Sequence, residues 1–324
     1  MSNIYLTEQG AKIKKSYRRL IVEKDGKILL DIPEFKVDKI FIFGNIQITT
    51  QALTFFLNNG IDTNFFSLTG NFKGKLTSVE SKNIYLRIEQ YKKYFDNQFR
   101  IAIAKKLVGI KIKNHISMIK RFARNHPDIV LDDLTVELNK SKDNLVRKNK
   151  ISTILGVEGQ EASIFFKAFR RMLRNNMNFQ TRIRRPPSNP VNSLLSLGYT
   201  LITTEMMSIL SANGFDPYLG YLHGADYGRP SLALDLIEEF RSPVIDRLTL
   251  YLINNQIIDV QDFLNIEEKG YYLNENGKKK YFTNYEKYMN NQKYAFRNIF
   301  HRQVKCFTNT ILRNEDYLPY RICK

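Results

Sequence analysis

The 324-residue chain has no tryptophan and only two cysteines, Cys306 and Cys323. Neither cysteine has a partner at CxxC spacing, which argues against a zinc finger and for two inert thiols in a reducing, cytoplasmic setting. No stretch approaches 18 uncharged apolar residues, so a membrane-spanning helix is not expected. The first 15 residues lack an apolar core and do not read as a signal peptide. There is no Walker lysine loop, recognition helix or RNP motif, so neither ATP use nor sequence-specific readout is implied. Acidic residues are absent between Glu161 and Glu205.

What the chain does have is positive charge. Fifty Lys and Arg stand against 32 Asp and Glu, a formal net charge of +18. That excess favours a polyanion as partner: DNA, RNA or an anionic membrane surface. With no spanning segment expected, the membrane is the weakest of the three. The hydrophobic fraction of 43% is ordinary for a folded protein. The 22 Phe and 18 Tyr supply core, with a few rings available to stack on bases.

The pattern predicts an α+β protein. A small N-terminal β-rich domain, residues 1–76, precedes a large all-α C-terminal domain, residues 77–324, with a linker near 74–80. Strands are expected over 17–24, 27–32, 37–43, 45–49 and 61–68. Asp25-Gly26 marks a two-residue hairpin turn. Residues 51–59 read as a short helix ended by Gly60. Proline is absent between Pro33 and Pro127, and glycine between Gly74 and Gly109. Ile84, Ile88, Tyr91, Phe95 and Phe99 then recur at helical spacing on one face. Residues 275–280 (ENGKKK) read as a charged turn or mobile loop.

Four acidic or imidazole side chains stand out against the basic background. Glu158 occupies a slot on the apolar stripe of Ile154, Ala162, Phe165, Phe169 and Leu173. A carboxylate there needs a partner, since burying it unpaired costs several kcal/mol or shifts its pKa. An arginine ion pair and a metal ion are both adequate answers. Gly156 and Gly159 beside it would let another backbone come close. His223, between Gly220 and Gly224, belongs on a turn and alone carries no assignment. A helix should begin at Pro230-Ser231, with Ser231 as N-cap. Asp235 and Glu238 then share one face, which reads as exposed, with Ala233, Ile237, Phe240 and Val244 toward the core. Together the carboxylates and imidazole form a hard, oxygen-rich set suited to Mg²⁺ or Mn²⁺. Such an ion polarises a phosphodiester for in-line displacement.

Two basic regions could hold the phosphate backbone. The acid-free span carries Arg170, Arg171, Arg174, Arg182, Arg184 and Arg185, the last three on a loop before Pro186-Pro187. Near the C-terminus, Arg297, His301 and Lys305 share one helical face. Arg suits phosphate because its planar fork can bond two oxygens. A solvated basic face is the plainer alternative for both.

Three stretches resemble a known family. They are Leu155-Gly156-Val157-Glu158-Gly159; Pro190-Val191-Asn192-Ser193-Leu194-Leu195-Ser196-Leu197-Gly198-Tyr199; and Gly220-Tyr221-Leu222-His223-Gly224 leading into Ser231-Leu232-Ala233-Leu234-Asp235-Leu236-Ile237-Glu238-Glu239-Phe240-Arg241. In order and spacing they are similar to the CRISPR-associated integrase and endonuclease family, the first Cas protein of spacer acquisition. The likeness covers essentially the whole chain. It implies that Glu158, His223 and Glu238 are metal ligands, with Asp235 adjacent and Asn192 near the site. Some relatives carry Asp where this chain has Glu238, which leaves open whether Asp235 or Glu238 holds the ion. The resemblance further implies insertion of short double-stranded DNA with 3′ ends (prespacers) into CRISPR repeat DNA, by 3′-hydroxyl attack. It implies a homodimer built through the β domain, and a second Cas protein as partner. The rival readings are a non-catalytic DNA-binding assembly subunit, a stand-alone DNA repair nuclease and an RNA nuclease.

Overall fold

A computed structural model describes the chain except for Met1, Val79, Glu80, Lys82, Asn176, Lys293, Cys323 and Lys324. Cys323 and the end of the expected linker therefore lie outside the described residues. Two four-stranded sheets build the N-terminal region. One has the order β1 (Ser2–Leu6), β5 (Val37–Phe43), β7 (Thr63–Phe66), β8 (Phe72–Leu76). The other has the order β4 (Lys27–Pro33), β3 (Arg19–Lys24), β2 (Lys12–Ser16), β6 (Gln47–Ile48). The Asp25-Gly26 turn forms as expected, both residues having positive φ (49° and 76°). Helix α1 (Thr50–Asn58) is capped by the Thr49 hydroxyl. Strands β1, β2 and β8 are additions to the expected set. The strand expected over 17–24 starts at Arg19, because Tyr17 turns the chain at φ 50°.

Strand β5 shows why the two regions cohere. Its side chains alternate between two cores. Ile40 and Ile42 join Ile13, Leu20, Val22 and Phe56 between the sheets and α1. Phe41 and Phe43 point the other way, into the core of the helical region. Tyr5 stacks between Phe41 (4.7 Å) and Phe282 (4.5 Å).

The C-terminal region is mostly helical: α2 (Ile84–Phe95), α3 (Asn97–Asn125), α4 (Asp132–Val146), α5 (Ile151–Met172), α6 (Pro190–Asn213), α7 (Ser231–Phe240), α8 (Arg247–Asn254), α9 (Glu275–Met289) and α10 (Phe296–Arg313). A π-helical turn, Arg241–Asp246, joins α7 to α8 at Pro243, which has no N–H to donate. One antiparallel hairpin, β9 (Phe263–Ile266) and β10 (Gly270–Leu273), interrupts the helices, so the region is not purely α.

Three expectations change. The stripe of Ile84, Ile88, Tyr91 and Phe95 faces solvent, these residues being 54%, 43%, 42% and 79% exposed. Leu86 and Gln90 are the buried residues of α2, and a break at Asp96, the N-cap of α3, separates Phe99 from the stripe. Residues 275–280 are the first turns of α9, capped by Asn274. Helix α6 is long and apolar enough to cross a membrane by length and composition, but 83% of its apolar window is buried inside the protein.

Candidate metal centre

Helix α3 packs against both α5 and α7, and these three helices carry the site. Glu158 lies on α5, Asp235 and Glu238 on α7. Asp235 and Glu238 are buried, not exposed, because α7 packs against α3 and α6 and lies under the turn that precedes it.

That turn presents His223. It closes through Gly220 N–H donating to Gly224 carbonyl at 3.1 Å. A Cβ on Gly220 would lie 2.7 Å from the Ser231 carbonyl carbon, so only glycine lets the turn sit on the first residue of α7. The close seating brings Asp235 under the turn. Its carboxylate accepts the backbone N–H groups of Tyr221 (2.5 Å), Leu222 (2.9 Å) and His223 (3.1 Å), and faces Nδ1 of His223 at 2.7 Å. The carboxylate can only accept, so Nδ1 carries the proton and Nε2 keeps its lone pair for a ligand. Gln90 braces the approach to the turn, donating to the carbonyls of Asp216 (2.9 Å) and Leu219 (3.3 Å). Ser231 is the first helical residue and not the N-cap; Pro230 precedes it and its hydroxyl makes no cap.

Glu158 and Glu238 converge on the Lys111 ammonium of α3. Glu158 contacts it directly, and Glu238 Oε2 lies 2.9 Å away. The other Glu238 oxygen accepts from Arg241 Nε at 2.8 Å. Burial works against the charged forms of all these groups. For Glu238 it is outweighed by Arg241, then Lys111 and His223, which hold the carboxyl well below the usual range. For Glu158 burial is outweighed chiefly by Lys111, and its pKa is also lowered. Lys111 is held above the ordinary lysine value despite burial, by Glu238, Glu158 and Glu161. Both carboxylates are thus anionic at neutral pH.

Behind this layer lies a second buried network. Glu161 Oε2 meets Nδ1 of His115 at 2.9 Å. Tyr199 donates to Asp246, and its ring takes the Arg241 guanidinium at 4.6 Å and that of Arg182 at 5.5 Å. Burial pushes the Asp246 carboxyl up to about 6.

The structure bears on each residue read from the sequence. Among the described residues, no three His, Cys, Asp or Glu side chains form a closed metal-binding group. Glu158 and Glu238 do converge on one cation, and His223 is among the groups that hold the Glu238 carboxyl low. Two anionic oxygens plus a free imidazole nitrogen fit a hard divalent ion, and Glu238 Oε2 is buried without a hydrogen bond of good geometry. Asp235 accepts three backbone N–H groups and faces an imidazole nitrogen, two partners to each oxygen, which ties it to His223 and its turn. The hydrogen bonds of Asn192 go elsewhere. Its amide pins the 181–183 loop, accepting from Arg182 Nη1 and Ile183 N (both 3.0 Å) and donating to the Thr181 carbonyl (3.0 Å).

Of the expected phosphate contacts, Arg170, Arg174, Arg184 and Arg185 are exposed. Arg182 is mostly buried against Asn192, Ser196 and Tyr199, and burial lowers its pKa to about 10. Arg297 does not fit a phosphate-binding role: its guanidinium is consumed by Glu205 (2.9 Å) and Glu286 (2.6 Å). Sequence reasoning misses Lys111, His115, Glu161 and Arg241. The one signal available is a lysine inside the apolar run Val108-Gly109-Ile110-Lys111-Ile112, with His115 one turn on.

Comparisons with known proteins point to one family. The family model described as CRISPR associated protein Cas1 matches residues 4–287. The chain is 37% identical over 259 residues to a CRISPR-associated endonuclease Cas1 of Thermus thermophilus, covering 80% of this chain and 74% of the relative. It is 31% identical to a Cas1 endonuclease of Thermodesulfovibrio yellowstonii, over 98% of this chain and 99% of the relative. Its fold is similar to that of a Cas1 protein from Thermotoga maritima, with a TM-score of 0.85 at 26% identity, over 96% and 97% of the two chains. Matched by the family model over most of its length and by these relatives, the chain belongs to the Cas1 family of CRISPR-associated endonucleases.

Proposed function

We propose that this chain is a metal-dependent DNA integrase and endonuclease of CRISPR adaptation, with Glu158, His223 and Glu238 holding one Mg²⁺ or Mn²⁺. The observation that supports it most is the convergence of Glu158 and Glu238, from separate helices, on one cation position. A divalent ion bound there supplies charge stabilisation for in-line displacement at phosphorus. Asp235 keeps the His223 ring in one tautomer and one orientation. Gly156 and Gly159 leave the face beside Glu158 open, with nothing within 4 Å of where either Cβ would lie, so a DNA strand can approach the carboxylates. Exposed Arg170, Arg174, Arg184 and Arg185 bind backbone phosphates without reading bases.

In strand joining, a prespacer 3′-hydroxyl forms a new P–O bond at the repeat boundary while the bond to the target 3′-oxygen breaks. The attacking oxygen gives up its proton and the departing oxygen gains one. Water in place of the hydroxyl gives cleavage. The partners in this reading are double-stranded prespacer DNA, CRISPR repeat DNA, a second copy of the chain meeting through the β-rich domain of residues 1–76, and the second Cas protein. A strand-transfer assay with a short duplex, a repeat-bearing plasmid and Mn²⁺ tests it. Glu158→Ala, His223→Ala and Glu238→Ala should each lose joining by at least about 100-fold, in keeping with loss of a catalytic metal, while unfolding cooperatively. Any of the three joining DNA at the parent rate would refute the assignment.

A further inference from the structure

Lys111 is 5% exposed and its ammonium meets three carboxylates: Glu158 in direct contact, Glu238 at 2.9 Å and Glu161 at 3.3 Å. Lysine is a point charge on a flexible four-carbon stem, so the ammonium can move a few ångström while α3 stays in place. Glu161 offers somewhere to go. It is fully buried, His115 holds its Oε2, and its Oε1 has no hydrogen bond of good geometry in spite of the nearby ammonium.

The charge balance gives this a purpose. Three carboxylates against Lys111 and Arg241 leave the cluster at −1. Without Lys111 the three carboxylates would face Arg241 alone, at −2. Like charges so close in a buried site repel and would drive the helices apart or take up protons. An internal cation prevents both, but it stands where the ion must go.

We propose that Lys111 is a built-in counter-ion and positioning residue: it holds Glu158 and Glu238 together in the ion-free protein and shifts onto Glu161 when a divalent ion arrives. The idea rests on the metal reading above. It makes Glu161, which is not a ligand, a determinant of ion affinity through the place it offers the ammonium.

Calorimetric titration of the full chain with Mn²⁺ alone tests it, using the parent, Lys111→Met, Glu161→Gln and Glu158→Gln. Lys111→Met removes the competing cation and should tighten Mn²⁺ binding about tenfold or more. Glu161→Gln removes the alternative partner and should weaken it about tenfold. In a Mn²⁺-loaded crystal of the parent, Lys111 Nζ should lie within hydrogen-bond range of Glu161 Oε1 and beyond hydrogen-bond range of Glu158. An ammonium still on Glu158 beside bound Mn²⁺, or unchanged affinity in Glu161→Gln, would overturn the counter-ion role while leaving the metal site standing. Mn²⁺ binding that is absent from the parent and from Lys111→Met, or equal in the parent and Glu158→Gln, would overturn the metal site itself. Should Lys111→Met not fold without Mn²⁺, the Glu161→Gln affinity and the crystal decide.

Discussion

Asp235 and His223 are joined twice: the Asp235 Oδ1 atom receives the His223 backbone N–H at 3.1 Å and faces its ring Nδ1 at 2.7 Å. One carboxylate thereby fixes both the turn and the imbalance between the two ring nitrogens. The tie separates the roles of the two acidic residues of α7, Asp235 orienting the imidazole and Glu238 facing the cation.

Asp235→Asn should therefore weaken Mn²⁺ binding by about 10- to 100-fold, the usual cost of losing an orienting partner behind a metal-binding histidine. The amide cannot accept three N–H groups and would offer a donor where acceptors are needed. Calorimetry with Mn²⁺ reads the effect. Loss of binding as complete as in Glu158→Gln would instead make Asp235 a ligand.

Arg297→Gln should leave DNA affinity nearly unchanged but destabilise the fold by about 3 kcal/mol or more, since it strands buried Glu205. Arg184→Gln and Arg185→Gln should do the reverse, each lowering the salt dependence of DNA binding by about one ion with little change in stability. Binding measured at several salt concentrations, alongside thermal unfolding, distinguishes the two classes.

Stability should fall as pH rises through the Asp246 titration. Burial lifts this carboxyl from an ordinary value of 3.8 to about 6, against the pull of His115 and the Tyr199 hydroxyl. The folded state then binds the proton more tightly than the unfolded one. The contribution is fully present below pH 3.8 and lost as pH passes about 6, on the order of 2–3 kcal/mol. Asp246→Asn should flatten the slope of denaturation free energy between those pH values. An unchanged slope would show that another group causes it.

Asn192→Ala should loosen the arginine loop without touching ion binding. Three hydrogen bonds tie that side chain to residues 181–183, and none of them involves a candidate ligand. Amide exchange over residues 181–185 should speed up at least tenfold, in line with losing roughly 1 kcal/mol or more per bond, while Mn²⁺ affinity holds.

Local chemistry makes much of this legible in advance. Asp25-Gly26 demands positive φ at two residues, which only a tight hairpin uses. Glu158 on an apolar stripe demands a partner, and the structure supplies Lys111 where an arginine or a metal is the expected answer. Periodicity finds α2 but not its buried face, because Gln90 is buried for its hydrogen bonds while Ile84 and Phe95 are not. The same limit hides Lys111, His115 and Glu161. Their meaning comes from three helices packing together, which spacing along one helix does not encode. Asp235 looks like surface for a related reason: its four partners belong to a turn seated by Gly220.

The central claim is that Glu158, His223 and Glu238 hold one divalent ion. Anomalous diffraction from a crystal soaked in Mn²⁺ tests it most directly. The account predicts a single peak within bonding distance of the Glu158 and Glu238 carboxylates and of His223 Nε2, with Asp235 behind the imidazole. A peak bonded to Asp235 in place of Glu238, or none at these residues under saturating Mn²⁺, would contradict it.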